Sequence, residues 1–403
     1  MPLFIAHDIS VTAMKRYILI VLLIYLLNAV KAQLNPVYLT IPTLLLDVNI
    51  KTGGMGETGV ASTGSTFFTG PHQNPSLLAK AERNAGFYFS CIPQINEIME
   101  NEFAVNILSF YKLNEKNVLS IDFTYINIGK MYVHDYLSRI IDVCWPYDYD
   151  IGLTYAHRFT NNLSAGTTLK FIDENLTNGC DYYEDYRPAR TLALDLGMDY
   201  EKKVSISDKL SLNYDLGVAL ENMGPRVSYT RGGDDKYFIP ANFAIGLMTS
   251  FIMDINDKTS LITSLSYQAE KLLVPTPPEY YPDSISPQGN LVIKSGKEPP
   301  SFVPFSWIQS FYDAPGGIEE EWHEILHKAG AEICLKYKEN FRLALRYGRF
   351  CEHWSKGNRK YNTLGAGVYI HGITIDAKWI PGDKRINSFK NSYGLAAGLQ
   401  LNL

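Results

Sequence analysis

The sequence predicts an all-β fold: a transmembrane antiparallel β-barrel of about 14 strands, with an N-terminal hatch or plug in its lumen. Three observations carry this. Runs of about ten residues alternate between apolar and small or polar side chains, the links between runs are short and long in turn, and a glycine-rich stretch without alternation precedes the first run. Alternation matters because successive side chains on a strand point to opposite faces. Leu192, Leu194, Leu196, Met198 and Tyr200 take every second place, with Thr191, Ala193, Asp195, Gly197 and Asp199 between them. Leu210, Leu212, Tyr214, Leu216, Val218 and Leu220 repeat the pattern against Ser211, Asn213, Asp215, Gly217, Ala219 and Glu221. One face then suits lipid and the other a wet or filled interior. Strands of a soluble sandwich also alternate, but they run to only about five or six residues.

The links give the strand count. Short turns are expected at 112–117, 160–162, 204–208, 254–258, 338–340 and 371–372, and long outer stretches at 127–148, 173–188, 222–238, 271–328, 351–360 and 381–392. With a first hairpin over 85–111, the total is roughly fourteen, an even number with both ends on the short-turn side. Counting 302–312 as a strand would break that parity, so it is assigned to the longest outer loop.

The first segment is an expected signal peptide, 1–32. Lys15 and Arg16 precede an apolar run over 17–27, and Asn28, Ala29, Val30, Lys31 and Ala32 supply the small residues a signal peptidase reads. The mature chain would begin at Gln33, and Met14 is an alternative start because Asp8 lies ahead of the basic pair. No cysteine follows the cleavage point directly, so a lipoprotein is not expected.

Residues 33–84 form the expected hatch, with Gly53, Gly54, Gly56, Gly59, Gly64 and Gly70, then Asn74, Pro75 and Ser76. Glycine allows positive backbone angles and close approach, which a compact plug needs. The barrel follows over 85–403, with 271–328 as its long extracellular loop.

Composition agrees with a barrel. A mean hydropathy of -0.10 leaves little room for membrane helices, yet there are 27 Tyr and 19 Phe. Tyr149, Tyr155, Phe159, Phe171, Tyr200, Tyr337 and Tyr347 fall at strand ends, where interfacial girdles lie. The net charge of -5 offers no basic stripe for nucleic acid. Asp150, Arg158, Lys170, Asp195, Asp215, Arg342, Arg346, Asp376 and Lys378 should face inward and pair with one another, since an isolated charge there is costly.

Of five cysteines, Cys144 and Cys180 fall in neighbouring outer loops and could pair in an oxidising compartment; Cys91, Cys334 and Cys351 are expected as small strand or rim residues.

Chemistry-bearing motifs are few. No phosphate-binding loop and no nucleophile elbow occurs. His323, Glu324 and His327 fit H-E-x-x-H, and Ile318, Trp322, Ile325, Leu326 and Ala329 recur at helical spacing around them. A zinc site would need a third ligand, for which only residue type favours Glu332, His353 or His371. No catalytic residue, metal or cofactor is therefore expected. The helix could simply cap the loop, with Glu319 to Glu321 solvated. It could also belong to a partner-docking surface with Trp307, Phe311 and Trp322, large apolar groups in a loop that should be exposed. Pro275, Pro277, Pro278, Pro299 and Pro300 stiffen the same loop.

Several stretches together carry a resemblance. Residues 53–61, from Gly53 to Ala61, and 74–79, from Asn74 to Ala79, are similar to the hatch of the PorV family, the outer-membrane component of the Bacteroidetes type IX secretion system. Residues 238–246, 310–317 followed by Glu319 and Glu320, and 356–361 leading to Gly365, Ala366 and Gly367 extend it over nearly all of the mature chain. The resemblance implies a FadL-like barrel in the cell outer membrane that carries rather than catalyses. Its implied partners are the translocon, cargo proteins with C-terminal signal domains, an attachment complex with a sortase-like protease, and outer-membrane lipid. The last strand departs by ending in Leu403 where such barrels usually end in Phe, and the pattern does not account for the loop histidines. The same fold also suits a FadL-like transporter of hydrophobic small molecules.

Overall fold

A computed structural model describes residues 37–62, 71–95, 101–183, 185–233, 235–285, 291–382 and 391–402. The expected signal peptide, the alternative start at Met14, Gln33, Gly64, Gly70 and Leu403 lie outside these residues.

The wall begins with β1 (Ala85–Gln94), β2 (Phe103–Lys112) and β3 (Asn117–Asn127). After an outer hairpin of β4 (Met131–His134) and β5 (Ile140–Cys144), it continues through β6 (Tyr147–Arg158), β7 (Leu163–Asn175), β8 (Ala189–Ser207), β9 (Leu210–Met223), β10 (Asn242–Asn256) and β11 (Thr259–Leu272). The longest outer loop holds β12 (Glu279–Ile285), β13 (Leu291–Ser295) and two short helices. The wall is completed by β14 (Leu326–Tyr337), β15 (Phe341–Cys351), β16 (Lys360–Ile370), β17 (Ile373–Trp379) and β18 (Tyr393–Leu401). Each strand pairs with its sequence neighbours in the wall, and β1 pairs with β18, so fourteen antiparallel strands close without an edge. Closure satisfies the backbone groups that lipid cannot. No described helix is long and apolar enough to cross a membrane.

Alternation is realised as expected. Leu192, Leu194, Leu196, Met198 and Tyr200 lie on the outer surface, whereas Asp195, Asp199 and Asp215 are buried inside. An outer aromatic row runs from Phe103 through Tyr125, Tyr147 and Tyr149 to Phe171, with ring centroids 6.0 to 6.3 Å apart.

Three expectations of local structure need correction. First, β8 and β10 run past the expected turns at 204–208 and 254–258, so the turns are at 208–209 and 257–258. From Lys203 to Ser207 both faces are exposed, so pairing persists past the filled lumen, with Val204 and Ile206 continuing the outward apolar set. Second, the outer stretches 127–148 and 271–328 contain strands that the link count did not include, the hairpins β4–β5 and β12–β13 beyond the wall. Third, the helix expected around Glu324 stops early. Leu326 already pairs with Glu270 of β11, and that ladder overrides helical spacing.

Residues 302–312 are outside the wall, as their assignment to the loop requires. They contain α2 (Val303–Gln309), followed by α3 (Ile318–His323). The first helix, α1 (Ile50–Gly53), is inside the lumen.

Candidate functional site

Two regions depart from plain barrel geometry. One is the segment before β1, folded into the lumen, and the other is the loop between β11 and β14.

In the lumen, the Asn49 side chain accepts from the Lys51 and Thr52 N–H groups and so starts α1. Asp47 accepts from the Asn49 N–H at 3.0 Å and from the Thr52 hydroxyl at 2.7 Å. The turn after α1 needs Gly56, whose φ of +70° is a left-handed value that glycine adopts freely. Gly54 touches the backbone of Gly365, and a Cβ there would come within 2.9 Å of the Gly365 Cα.

Close approach continues around the wall. A Cβ on Gly348 would sit 1.9 Å from the Gly56 nitrogen, one on Gly330 2.5 Å from the Met55 oxygen, and one on Gly217 2.0 Å from the Val60 oxygen. On the other side, Gly197 abuts Asn74 and Gly166 abuts Pro75. These glycines are cross-strand partners: Gly166 with Gly197, Gly217 with Gly246, and Gly330 with Gly348. Backbone therefore meets backbone along a belt, the use of strand glycine that close packing demands.

Polar side chains lock the contact. Gln268 accepts from the Gly59 and Val60 N–H groups, Thr363 from the Gly56 N–H, and Asn74 donates to the Val60 and Met198 carbonyls. Lys80 meets Asp199, Glu201 and Asp215, and donates to the Ser62 carbonyl.

The expected inward charges are there, but several do not pair with one another. Lys170 pairs with Asp195 at 2.7 Å and Arg346 with Asp376 at 2.7 Å, within the wall. Arg158 donates to the Ala79 carbonyl, Lys378 to the Asp47 carbonyl, Asp215 takes Lys80, and Arg342 reaches Glu82 at 3.4 Å. Asp150 lines a small polar cavity with Lys170, Glu221 and Lys328. The wall is thus charged partly to hold the segment, a pairing invisible to a count of strand charges alone.

At the outer rim, Cys144 and Cys180 form a disulfide with a Cα–Cα distance of 4.9 Å. Beside it, Asp142 accepts from the Asp181 and Tyr182 N–H groups. Those backbone donors, Tyr182 first, hold its carboxyl below the ordinary range. Cys91, Cys334 and Cys351 are free and lie in wall strands.

The H-E-x-x-H residues do not converge. His323 ends α3 and stacks on His353 with centroids 3.6 Å apart, while His327 is in β14 against the Tyr267 hydroxyl. Glu324 receives Lys271, Lys356 and the Thr276 hydroxyl. Burial alone would raise its pKa, but Lys271 and then Lys356 bring it below the ordinary value. It is a structural anchor, not a base facing a metal. Among the described residues no group of three metal-type side chains is assembled. Glu320 and Glu321 are likewise engaged, with Lys356 and Lys271, so the acidic face expected to be solvated is largely a clasp.

The three loop aromatics are not one cluster. Phe311 and Trp322 line the same apolar cleft, and Phe311 packs edge-on against Phe243 of β10. Trp307 is half-buried elsewhere on α2. A second apolar face, not expected from the sequence, is formed by Phe305 and Ile308 of α2 with Phe302 just before it and Tyr312 just after, all exposed. Their spacing of three or four residues was the available signal.

Residues 29–279 match the family described as Type IX secretion system protein PorV. The chain belongs to the PorV family. It is an outer-membrane component of the type IX secretion system, and its partners are components of that system. No curated protein matches it in sequence. Solved structures with a similar outline include the Ralstonia pickettii toluene transporter TbuX, at 11% identity, 88% of this chain, 98% of that one and a TM-score of 0.42. The P. putida toluene transporter TodX gives 10%, 92%, 100% and 0.43. A Pseudomonas aeruginosa FadL homologue gives 9%, 90%, 99% and 0.39. The architecture of the PorV-family chain follows from its own strand pairing.

Proposed function

We propose that this barrel is a non-enzymatic carrier that holds the C-terminal signal domain of secreted cargo at its outer loops and shuttles it from the translocon to the attachment complex. The observation that carries this proposal is the family match over 29–279. Two structural features support it. The lumen is occupied by 37–62 and 71–84, which act as a hatch built on Gly53, Gly54, Gly56, Asn74 and Pro75, so large partners meet the barrel from outside. The long loop also presents Phe302, Phe305 and Ile308 to solvent, a contiguous apolar face of the kind that marks protein interfaces. Trp307 lies on the same helix, α2, while Phe311 and Trp322 belong to the same loop but line its cleft against the wall.

The test replaces Phe302, Phe305 and Ile308 by Ser and recovers the protein from membranes. Barrel yield should be unchanged, while co-purified cargo and translocon fall to background and cargo accumulates in the periplasm. Normal secretion by the triple variant would remove the loop face from the proposal; normal secretion without the protein would remove the carrier role itself.

A second possibility, a FadL-like transporter of hydrophobic small molecules, is favoured by one observation. A cavity of about 200 Å³ at the outer side of the lumen has an apolar side of Pro42, Leu45, Leu46, Ile92, Ile126 and Ile380, faced by Glu57, Glu102, Arg359 and Lys378. Solvent extraction of purified protein that yields a stoichiometric apolar compound would favour this alternative.

A further inference from the structure

On the outer surface of the wall, α3 and the chain before it cover the upper ends of β10 and β11, leaving a cleft of about 330 Å³. This is near the lower end of the range for small-molecule pockets, ~300–1,000 Å³. Phe243, Ile245 and Ala269 form its floor, and Phe311, Ile318 and Trp322 its roof. Lys271, clasped by Glu321 and Glu324, closes one end.

Three observations fix what faces this cleft. The floor belongs to the outward set of wall residues: Ala244 and Gln268, their neighbours in sequence, are buried on the lumen side, whereas Ile245 is exposed. Below the floor, the outward positions of β10 continue through Leu247, Phe251, Met253 and Ile255, all exposed. The ten residue steps from Ile245 to Ile255, at ~3.4 Å rise and ~40° tilt, span roughly 26 Å, close to the ~25 Å apolar band of such barrels. The cleft is therefore continuous with the lipid-contacting surface and lies at its outer-leaflet border. Finally, the roof is left uncovered by protein: Trp322 is 64% exposed and Ile318 79%. Each would cost about 25 cal/mol per Å² if left against water.

We infer that the cleft between α3 and strands β10–β11 takes an acyl chain of an outer-leaflet lipid. The chain continues the lipid surface upward, covers Trp322 and Ile318, and ties the long loop to the membrane plane. Lys271, Glu321 and Glu324 satisfy one another there, so the site selects an apolar chain and carries no free charge for a headgroup. The inference is independent of the carrier function, because it concerns the wall side of the loop and not the face of α2.

Depth-dependent quenching tests it. Two full-length mature proteins each keep one of the five tryptophans, with Phe at the other four. One keeps Trp322, and the other keeps Trp379, an outward residue of β17 that reports ordinary lipid contact and correct folding. Both are reconstituted in phosphatidylcholine vesicles whose acyl chains are brominated near the headgroup. Trp322 should lose as much emission to bromine as Trp379 and little to aqueous acrylamide. Ala269→Phe, which fills the floor, should abolish the bromine effect at Trp322 and leave that at Trp379 unchanged. Quenching of Trp322 by acrylamide instead of bromine, or by neither, overturns the inference. Undiminished bromine quenching in A269F also overturns it, since Trp322 would then merely dip into the bilayer without a chain in the cleft.

Discussion

The lumen and the long outer loop treat the same residue types in opposite ways. Inside the barrel, buried charges are answered by opposite ones: Lys80 by three carboxylates, Arg346 by Glu332 and Asp376. Outside, Phe302, Phe305, Ile308, Ile318 and Trp322 are left exposed. Burying paired charge fixes a geometry but adds little net stability, because desolvation offsets attraction. Exposed apolar surface stores free energy that only a partner or lipid releases. The lumen is built to stay as it is, and the loop to be completed by something else.

The strongest way to break this contrast is Lys80→Ala. It leaves Asp199 and Asp215 buried without their cation, and losing one partner of a buried ion pair costs ~3–5 kcal/mol. Denaturant unfolding followed by the gel mobility of the folded barrel should show that loss. A wild-type midpoint would mean the lumen charges are not structural.

Next comes Gly348→Val, which drives a side chain into the Gly56 backbone. Overpacking of this kind costs ~1–3 kcal/mol, and the lumen segment should become accessible to protease from the short-turn side. Reducing Cys144–Cys180 should act on the loop side alone. Cross-links of this kind typically contribute ~2–4 kcal/mol, but here the effect should appear as faster proteolysis of 127–188 with the barrel midpoint unchanged.

The smallest effect is a pH dependence. In the long loop, burial, followed by the charges of Glu321 and Glu324, raises Asp313 to about 7. The folded loop keeps this proton at a pH where the unfolded loop has lost it, so loop stability falls as pH rises from the ordinary carboxylate range toward 7. Limited proteolysis of 271–328 should quicken across that window in the wild type and lose the trend in Asp313→Asn. A trend that survives the substitution assigns it to another group.

The barrel itself was legible because lipid on one side and a filled lumen on the other impose period two on every wall strand. The parity of short and long links then closed the count at the fourteen strands observed. Strand ends were less legible: Val204 and Ile206 keep the alternation and pair in β8 through Ser207, inside the stretch expected as a turn. The glycines at 53, 54 and 56 were visible as a cluster, but their partners were not, since Gly330, Gly348 and Gly365 are distant in sequence and resemble any small inward residue. The loop aromatics were visible too, yet only packing separates Trp307 from the cleft that Phe311 and Trp322 share. Local helical spacing misled at Glu324, because β11 was waiting to pair with Leu326.

The lumen segment also reaches from one rim to the other. Near its start, Leu39 bridges to Phe238 of an outer loop; at its end, the Asn84 N–H bonds the Leu401 carbonyl at the opposite rim, beside the seam of first and last strands. At Gly56, Val60 and Pro75 its backbone lies directly against wall glycines, a fit that threading into a finished barrel would have to recreate strand by strand. Wrapping the sheet about this stretch as it closes would make the stretch a mandrel, and deletion of 37–84 should then fail at insertion into the membrane before it fails at secretion.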